Sequence, residues 1–230
     1  MRDALKVELT AYTGSFRVPG LVAYQLSLPL PPLSTVFGLL AAAAGEWVPP
    51  SRLEWVGYRC DYEARGKDLE AIITFERKGP RDVARAVQRN VVWREFLVNP
   101  RLTLYLPCEW EKALRRPRYP LVLGRSQDVA TVERLEKVRL SDCDEGELSG
   151  TLLPLDVAMT GGIGGIVFNL PVAFDQEPVR TPLGVRAFTV LDAKEHRVVA
   201  RVPGWLCHEP GTEFAVPLYR REWIMSVMEG

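Results

Sequence analysis

The sequence predicts an α+β fold: a βαββαβ order that carries an insertion and is followed by a β-rich C-terminal part. Three observations carry that expectation. Residues 5–11 alternate apolar and polar side chains, one apolar stretch of helical length follows a run of prolines, and the chain beyond residue 140 is a series of short extended stretches between turns. With 230 residues, 47% of them hydrophobic and 25% charged, the composition is that of a folded globular protein and excludes a disordered or collagen-like chain.

Leu5 to Ala11 reads as the first strand, with Leu5, Val7 and Leu9 on one face and Lys6, Glu8 and Thr10 on the other. A polar segment, Thr13 to Ser27, leads to Pro29-Leu30-Pro31-Pro32, where proline forbids helix. Ser34 is then placed as an N-cap of a helix over Val36 to Glu46, nearly all apolar and so expected deep in the core, with Gly45 and Pro49 ending it. Leu53 to Glu63 and Leu69 to Arg77 follow as strands joined by the polar turn Ala64 to Asp68. Val91 to Val98 and Arg101 to Leu106 read as an extended pair around Asn99-Pro100. Cys108 to Arg116 is a short helix stopped by Pro117 and Pro120, and a strand around Val129 to Val132 completes the order. Beyond the acidic cluster Asp142, Asp144, Glu145, Glu147 the remainder reads as strands without helix, which divides the chain into residues 1–140 and 141–230.

The formal charge is zero, yet it is sorted along the chain. Arg77 to Arg139 holds 15 Lys or Arg against 7 Asp or Glu, which leaves 14 basic and 22 acidic residues elsewhere. A basic middle suits a polyanion, because neutralising phosphates releases counterions; the plainer alternative is an arginine-rich solvated face. The four cysteines, Cys60, Cys108, Cys143 and Cys207, form no CxxC pair and read as free thiols. No cofactor or metal is expected. The start of the chain lacks the apolar stretch of a signal peptide and Val36 to Gly45 is too short to span a bilayer, so a cytoplasmic protein is expected.

Two groups of motifs resemble a known family. One is Phe16-Arg17-Val18-Pro19, then Gln25, then Pro31-Pro32-Leu33-Ser34-Thr35-Val36-Phe37-Gly38-Leu39-Leu40-Ala41-Ala42-Ala43. The other is Arg94-Glu95-Phe96-Leu97-Val98-Asn99-Pro100, Leu102-Thr103-Leu104-Tyr105-Leu106 and Tyr119-Pro120-Leu121-Val122-Leu123-Gly124-Arg125-Ser126. In this order, from Leu5 to Val132, they resemble the fifth Cas family of the RAMP superfamily, in its type I-B style. The resemblance implies a ferredoxin-like (RRM-like) domain with a basic β-hairpin thumb. It also implies a non-catalytic role in antiviral defence: binding and capping the 5′ handle of CRISPR RNA (crRNA) in a Cascade complex. Implied partners are crRNA, the large subunit and the backbone subunits, with target DNA a neighbour of this subunit or of the large subunit alone.

An RNA end held in fixed shape needs phosphate donors on a rigid frame and surfaces for splayed bases. Arg17, after the first strand, has the guanidinium fork for a phosphate, or is merely solvated. Gln25 belongs to the same motif. Ser34 and Thr35 open a helix whose free amides favour an anion, or simply cap it. Gly124-Arg125-Ser126-Gln127 lets backbone approach RNA, or forms a turn in which Arg125 pairs with Asp128. The thumb is expected over about 78–99, where Arg81, Arg85, Arg89 and Arg94 accompany Trp93 and Phe96; the i, i+4 spacing of the first three equally fits a short solvated helix. Gly161-Gly162-Ile163-Gly164-Gly165 lacks the flanking strand, helix and Lys-Ser/Thr of a nucleotide loop and reads as a turn or bulge.

The alternative function is a metal-independent endoribonuclease that processes CRISPR repeat RNA. It needs a base for a 2′-hydroxyl and a group for the charged phosphate. His196 and His208 lie outside the matched motifs, and neither Tyr24 nor Tyr119 has a Lys close in sequence.

Overall fold

The computed structural model describes residues 1–21, 24–77, 79, 83–176 and 180–228. Strands take 53% and helices 16%, so the expected class holds in its coarser form, mixed and mostly sheet. The strands are β1 (Arg2–Ala11), β2 (Thr13–Gly14), β3 (Phe16–Arg17), β4 (Tyr24–Gln25), β5 (Ser27–Leu28), β6 (Trp55–Asp61), β7 (Ala64–Glu76), β8 (Arg85–Val98) and β9 (Arg101–Leu106). They continue as β10 (Leu121–Val122), β11 (Val129–Leu148), β12 (Thr151–Pro154), β13 (Ile166–Leu170), β14 (Ala173–Phe174), β15 (Pro182–Leu183), β16 (Arg186–Leu191), β17 (Val198–His208) and β18 (Ala215–Arg220). The α-helices are α1 (Leu33–Ala44), α2 (Glu111–Arg115), α3 (Leu155–Thr160) and α4 (Arg221–Ser226).

The alternation of β1 puts Leu5, Val7 and Leu9 in the core and leaves Lys6 and Glu8 half-buried. β1 pairs antiparallel with both β9 and β11, and β9 with β6. The pairing then runs from β6 to β18, β17 and back to β11, so the main sheet closes on itself through six antiparallel strand pairs. Closure depends on the length of β11: its first half pairs with β1, its second with β17, and a bulge lies between Cys143 and Glu145. The expected boundary at 140/141 falls inside this strand. The main core joins Leu5, Tyr58 and the α1 residues Leu33, Val36 and Leu40 to Phe188, Tyr219 and Ile224 of the final third.

α1 begins earlier than expected. Pro32 is the N-cap and no side chain caps the helix; the Pro32 carbonyl accepts from the amides of Thr35 (2.9 Å) and Val36 (3.4 Å). Proline at that position fixes an extended backbone that turns straight into helix, so Ser34 lies within the first turn and is not the cap. Gly45 ends the helix at φ 81°, as expected of a C-terminal glycine. The last-turn carbonyls of Ala42 and Ala43 accept from the backbone of Tyr119 and Arg118, 3.0 Å each. Burial is confined to one stripe, with Gly38 exposed on the opposite side, so the helix is not enclosed all round.

The hairpin differs most from expectation. β7 and β8 pair from Ala64↔Val98 out to Glu76↔Arg85, so the hairpin strands cover 64–76 and 85–98 and begin well before residue 78. Residues 64–68 are strand, because the turn is made one step earlier at Tyr62-Glu63 and the charge of Arg65 meets Glu95 and Asp192. Val91–Val98 and Arg101–Leu106 do not pair with one another, since Asn99 (φ 48°) and Pro100 redirect the chain into the main sheet. Arg85 and Arg89 lie on a strand, which removes the helical alternative there; Val87, Val91 and Val92 around them favour extended backbone. Lys78 and Arg81 lie outside the described residues. The final third also holds α3 and α4, six residues each, too short to leave a helical period in sequence. Gly161–Gly165 forms the turn between α3 and β13. Among the described residues no helix is long and apolar enough to cross a membrane.

Candidate nucleic-acid interface

The hairpin is rooted by two polar networks. On one flank the Arg65 guanidinium donates to Asp192 Oδ2 (2.7 Å), Glu95 Oε2 (3.3 Å), the Ser27 carbonyl (3.2 Å) and the Tyr62 hydroxyl (3.1 Å). Tyr62 donates to the Asp192 carboxylate, with its hydroxyl 2.8 and 2.9 Å from the two oxygens. Burial, reinforced by that hydrogen bond, pushes the Tyr62 hydroxyl up to about 12. This flank ties β7 and β8 to the β4–β5 segment and to the final third. On the other flank Glu70 takes Arg94 Nε at 2.8 Å and Arg125 Nη1 at 2.7 Å. The buried Asp128 accepts from Arg125 Nε and Nη2 (2.9 Å each), from the Arg125 amide (3.0 Å) and from Thr13 Oγ1 (2.6 Å). Arg125 also stacks over Phe96, 5.4 Å from the ring centroid.

These networks include several residues expected as RNA contacts. Arg94 and Arg125 are occupied internally, and the Arg125–Asp128 alternative is the arrangement present. Gly124 has φ 111°, and a Cβ there would sit 1.9 Å from the Ser15 carbonyl oxygen, so glycine is required by close backbone packing. Gly124→Ala is expected to destabilise the fold by about 3 kcal/mol through strain and steric overlap, read as a lower urea midpoint at unchanged m-value. Ser126 and Gln127 are exposed on the same turn. Arg17 is exposed and donates to the Leu21 carbonyl at 3.1 Å. Gln25 pairs along Arg94 and is buried, its Oε1 without a hydrogen-bond partner among the described residues. Arg17, Gln25, Arg94 and the 124–127 turn thus gather about the hairpin root.

Arg85 and Arg89 lie farther out, exposed, on the distal hairpin. Cross-strand pairs Leu69↔Trp93, Ala71↔Val91 and Ile73↔Arg89 share one face, so Arg89 stands in a row with exposed apolar and aromatic side chains. Residues 71–91 contain five Lys or Arg and two Asp or Glu, while Glu70 and Glu95 at the root are spent on internal pairs. Ser34 and Thr35 are elsewhere. Ser34 lines a groove of about 460 Å³ along the open side of α1, floored by Gly38 and Ala41 and walled by Trp47, Tyr119 and Phe174.

Sequence reasoning missed Arg65, Tyr62 and Asp192, which lie up to 130 positions apart and share no local pattern. It also missed Lys67, whose ammonium stands 5.5 Å from the Tyr24 ring centroid; interaction with the Tyr24 side chain raises the Lys67 pKa. So a lysine does accompany Tyr24, brought by pairing on β8 and not by the sequence around it. His196 Nδ1 accepts from the Asp192 amide and His208 Nε2 is 2.8 Å from the Thr212 carbonyl, each within its own loop. Among the described residues no group of three His, Cys, Asp or Glu is arranged to hold a metal ion. The acidic cluster meets arginines: Asp142 pairs with Arg2 and Arg220, and Glu147 with Arg197.

Residues 4–177 match the family model described as CRISPR-associated protein (Cas5). Among solved structures, a chain titled CRISPR RNA-guided surveillance complex is similar over 99% of this chain and 100% of its own, at 17% identity and TM-score 0.53. A chain of the type III-B Cmr-beta complex bound to cognate target RNA and AMPPnP is similar over 85% of this chain and 86% of its own, at 12% identity and TM-score 0.55. At these identities the likeness is one of fold. No curated protein matches the sequence.

Proposed function

The chain belongs to the Cas5 family of CRISPR-associated proteins, and from that membership we propose that it is a subunit of a type I CRISPR surveillance (Cascade) complex that binds and caps the 5′ handle of crRNA without cutting it. The observation that carries the proposal is the distal hairpin. It extends from a root locked by ion pairs, carries an excess of cations over acids, and exposes Trp93 and Phe75. Guanidinium groups on such an arm hold phosphates while aromatic faces take unstacked bases, a sequence-tolerant mode that fits a backbone-bound guide end. Arg17 and the amides of Ser126 and Gln127 supply further phosphate donors at the root, and the groove beside Ser34 and Thr35 offers aromatic walls. In this reading Arg94, Gly124 and Arg125 act by fixing the root, not by touching RNA.

The ferredoxin-like description of residues 1–140 belongs to the same proposal. The strand order β11-β1-β9-β6, with α1 following β1 and α2 following β9, supports it. The large and backbone Cascade subunits are its proposed protein partners.

One observation favours the endoribonuclease as a second reading, the Tyr24–Lys67 pair at the hairpin root. Tyr62 is no base for it, being buried and protonated far above neutrality. Incubating the full chain, free of metal, with labelled CRISPR repeat RNA separates the two. Salt-sensitive retention of intact RNA is the expected result, with Tyr24→Phe changing affinity less than threefold. Discrete cleavage that Tyr24→Phe abolishes would replace the capping role with a processing one.

A further inference from the structure

Among the described residues, β13 (Ile166–Leu170) pairs with β16 on one side and with no strand on the other. Along its outer edge, backbone amides and carbonyls therefore lack strand partners. The edge of β7 is free in the same way, but there Arg65, Lys67, Asp68, Glu70 and Glu76 occupy the strand, and charge is what keeps an open edge from recruiting other chains. β13 has no such protection. From residue 157 to residue 174 the chain contains no charged side chain, although a quarter of the whole sequence is charged. Ile166 is 55% exposed and Val167 47% exposed, one on each face of the strand. Proline 171 closes the edge after five residues.

We infer that the outer edge of β13 receives an extended, uncharged, apolar segment of a partner protein, which adds to the β12-β16-β13 sheet as a further strand. The backbone ladder calls for an extended chain, since only a strand completes it along its length. A nucleic acid does not fit, because no cation on this stretch neutralises a phosphate. A second copy of this chain does not fit either. A five-residue edge with two exposed aliphatic side chains buries roughly 300 Å² per side, against ~800 Å² per partner in a stable complex. The occupant is thus a segment of a protein whose main hold lies elsewhere. That this protein is another subunit of the CRISPR assembly rests on the function proposed above; the strand addition itself rests on the edge.

Hydrogen exchange followed by mass spectrometry tests it on the wild-type chain in three states: alone, with crRNA alone, and in the complex co-purified with its CRISPR-associated protein subunits. Outward-facing amides of residues 166–170 are expected to exchange at least tenfold more slowly in the complex, and at unchanged rate with RNA alone. Val167→Lys is expected to weaken incorporation into the complex by at least tenfold while leaving RNA binding by the isolated chain unchanged. Equal exchange in all three states would overturn the inference. So would protection by RNA alone, or protection in the isolated chain that grows with concentration alongside a dimer mass. Loss of RNA binding by the wild-type chain, with the protection intact, would instead count against the proposed function only.

Discussion

Replacing Arg85 and Arg89 together by glutamine is expected to weaken RNA binding by about 25-fold near 0.1 M salt and to make the salt dependence shallower. Each guanidinium that neutralises a phosphate on single-stranded RNA adds about 0.7 to the slope of log K against log salt, so losing two flattens it by about 1.4 and removes about 1.4 decades of affinity at 0.1 M. Both residues are exposed and, although Arg85 stands opposite Glu76 across the hairpin, neither forms an ion pair among the described residues, so stability should move by no more than about 0.5 kcal/mol. Titration of labelled repeat RNA at several salt concentrations reads both quantities. An unchanged slope would show that the distal hairpin does not hold phosphates, and the proposed interface would then be the wrong one. Arg125→Gln should behave in the opposite way: a stability loss, because Asp128 and Glu70 lose their common partner, with little change of slope.

Asp192→Ala carries the second large effect. Asp192 is 4% exposed and accepts from Arg65, Tyr62 and the Lys194 amide, so its removal leaves Arg65 Nη2 and the buried Tyr62 hydroxyl without their acceptor. Breaking a buried pair from one side costs about 3–5 kcal/mol, and the lower end applies because Arg65 keeps a third of its side chain in water. About 3 kcal/mol corresponds to a fall in Tm of roughly 6–12 °C for a chain of this size. The double variant with Arg65→Met should be less damaging than the two single costs added together, by at least ~1 kcal/mol, since the charge left behind is then gone. A loss below about 1 kcal/mol in Asp192→Ala would mean that this network does not hold the hairpin. RNA affinity should fall modestly with unchanged salt slope, because the distal cations remain.

Local pattern made the first strand, the proline-led helix, its glycine stop and the short helix before Pro117 legible, because each follows from side-chain periodicity or from one residue's backbone limits. It misplaced the start of α1 by choosing a hydroxyl cap where Pro32 sets the turn. It also divided the hairpin, since the polar stretch 64–68 reads as a turn until the partners of Arg65 are known. The arginines show the same limit. Sequence marked Arg85, Arg89, Arg94 and Arg125 as candidate phosphate donors and offered an internal partner, Asp128, only for Arg125. The difference is Glu70, which pairing on β7 delivers to Arg94 and Arg125 and withholds from the distal pair.

By itself the sequence determined the family, the mixed class, the sorting of charge into a basic middle, and the first strand and the helix that follows the prolines. Tertiary structure alone decided that β17 and β18 return to close the sheet beside β6, that β11 runs unbroken through the expected boundary, and which arginines pair with Glu70 at the hairpin root. Those outcomes depend on pairing between residues far apart in the chain, where hydrogen-bond register and burial are satisfied jointly and leave no periodic trace in either partner.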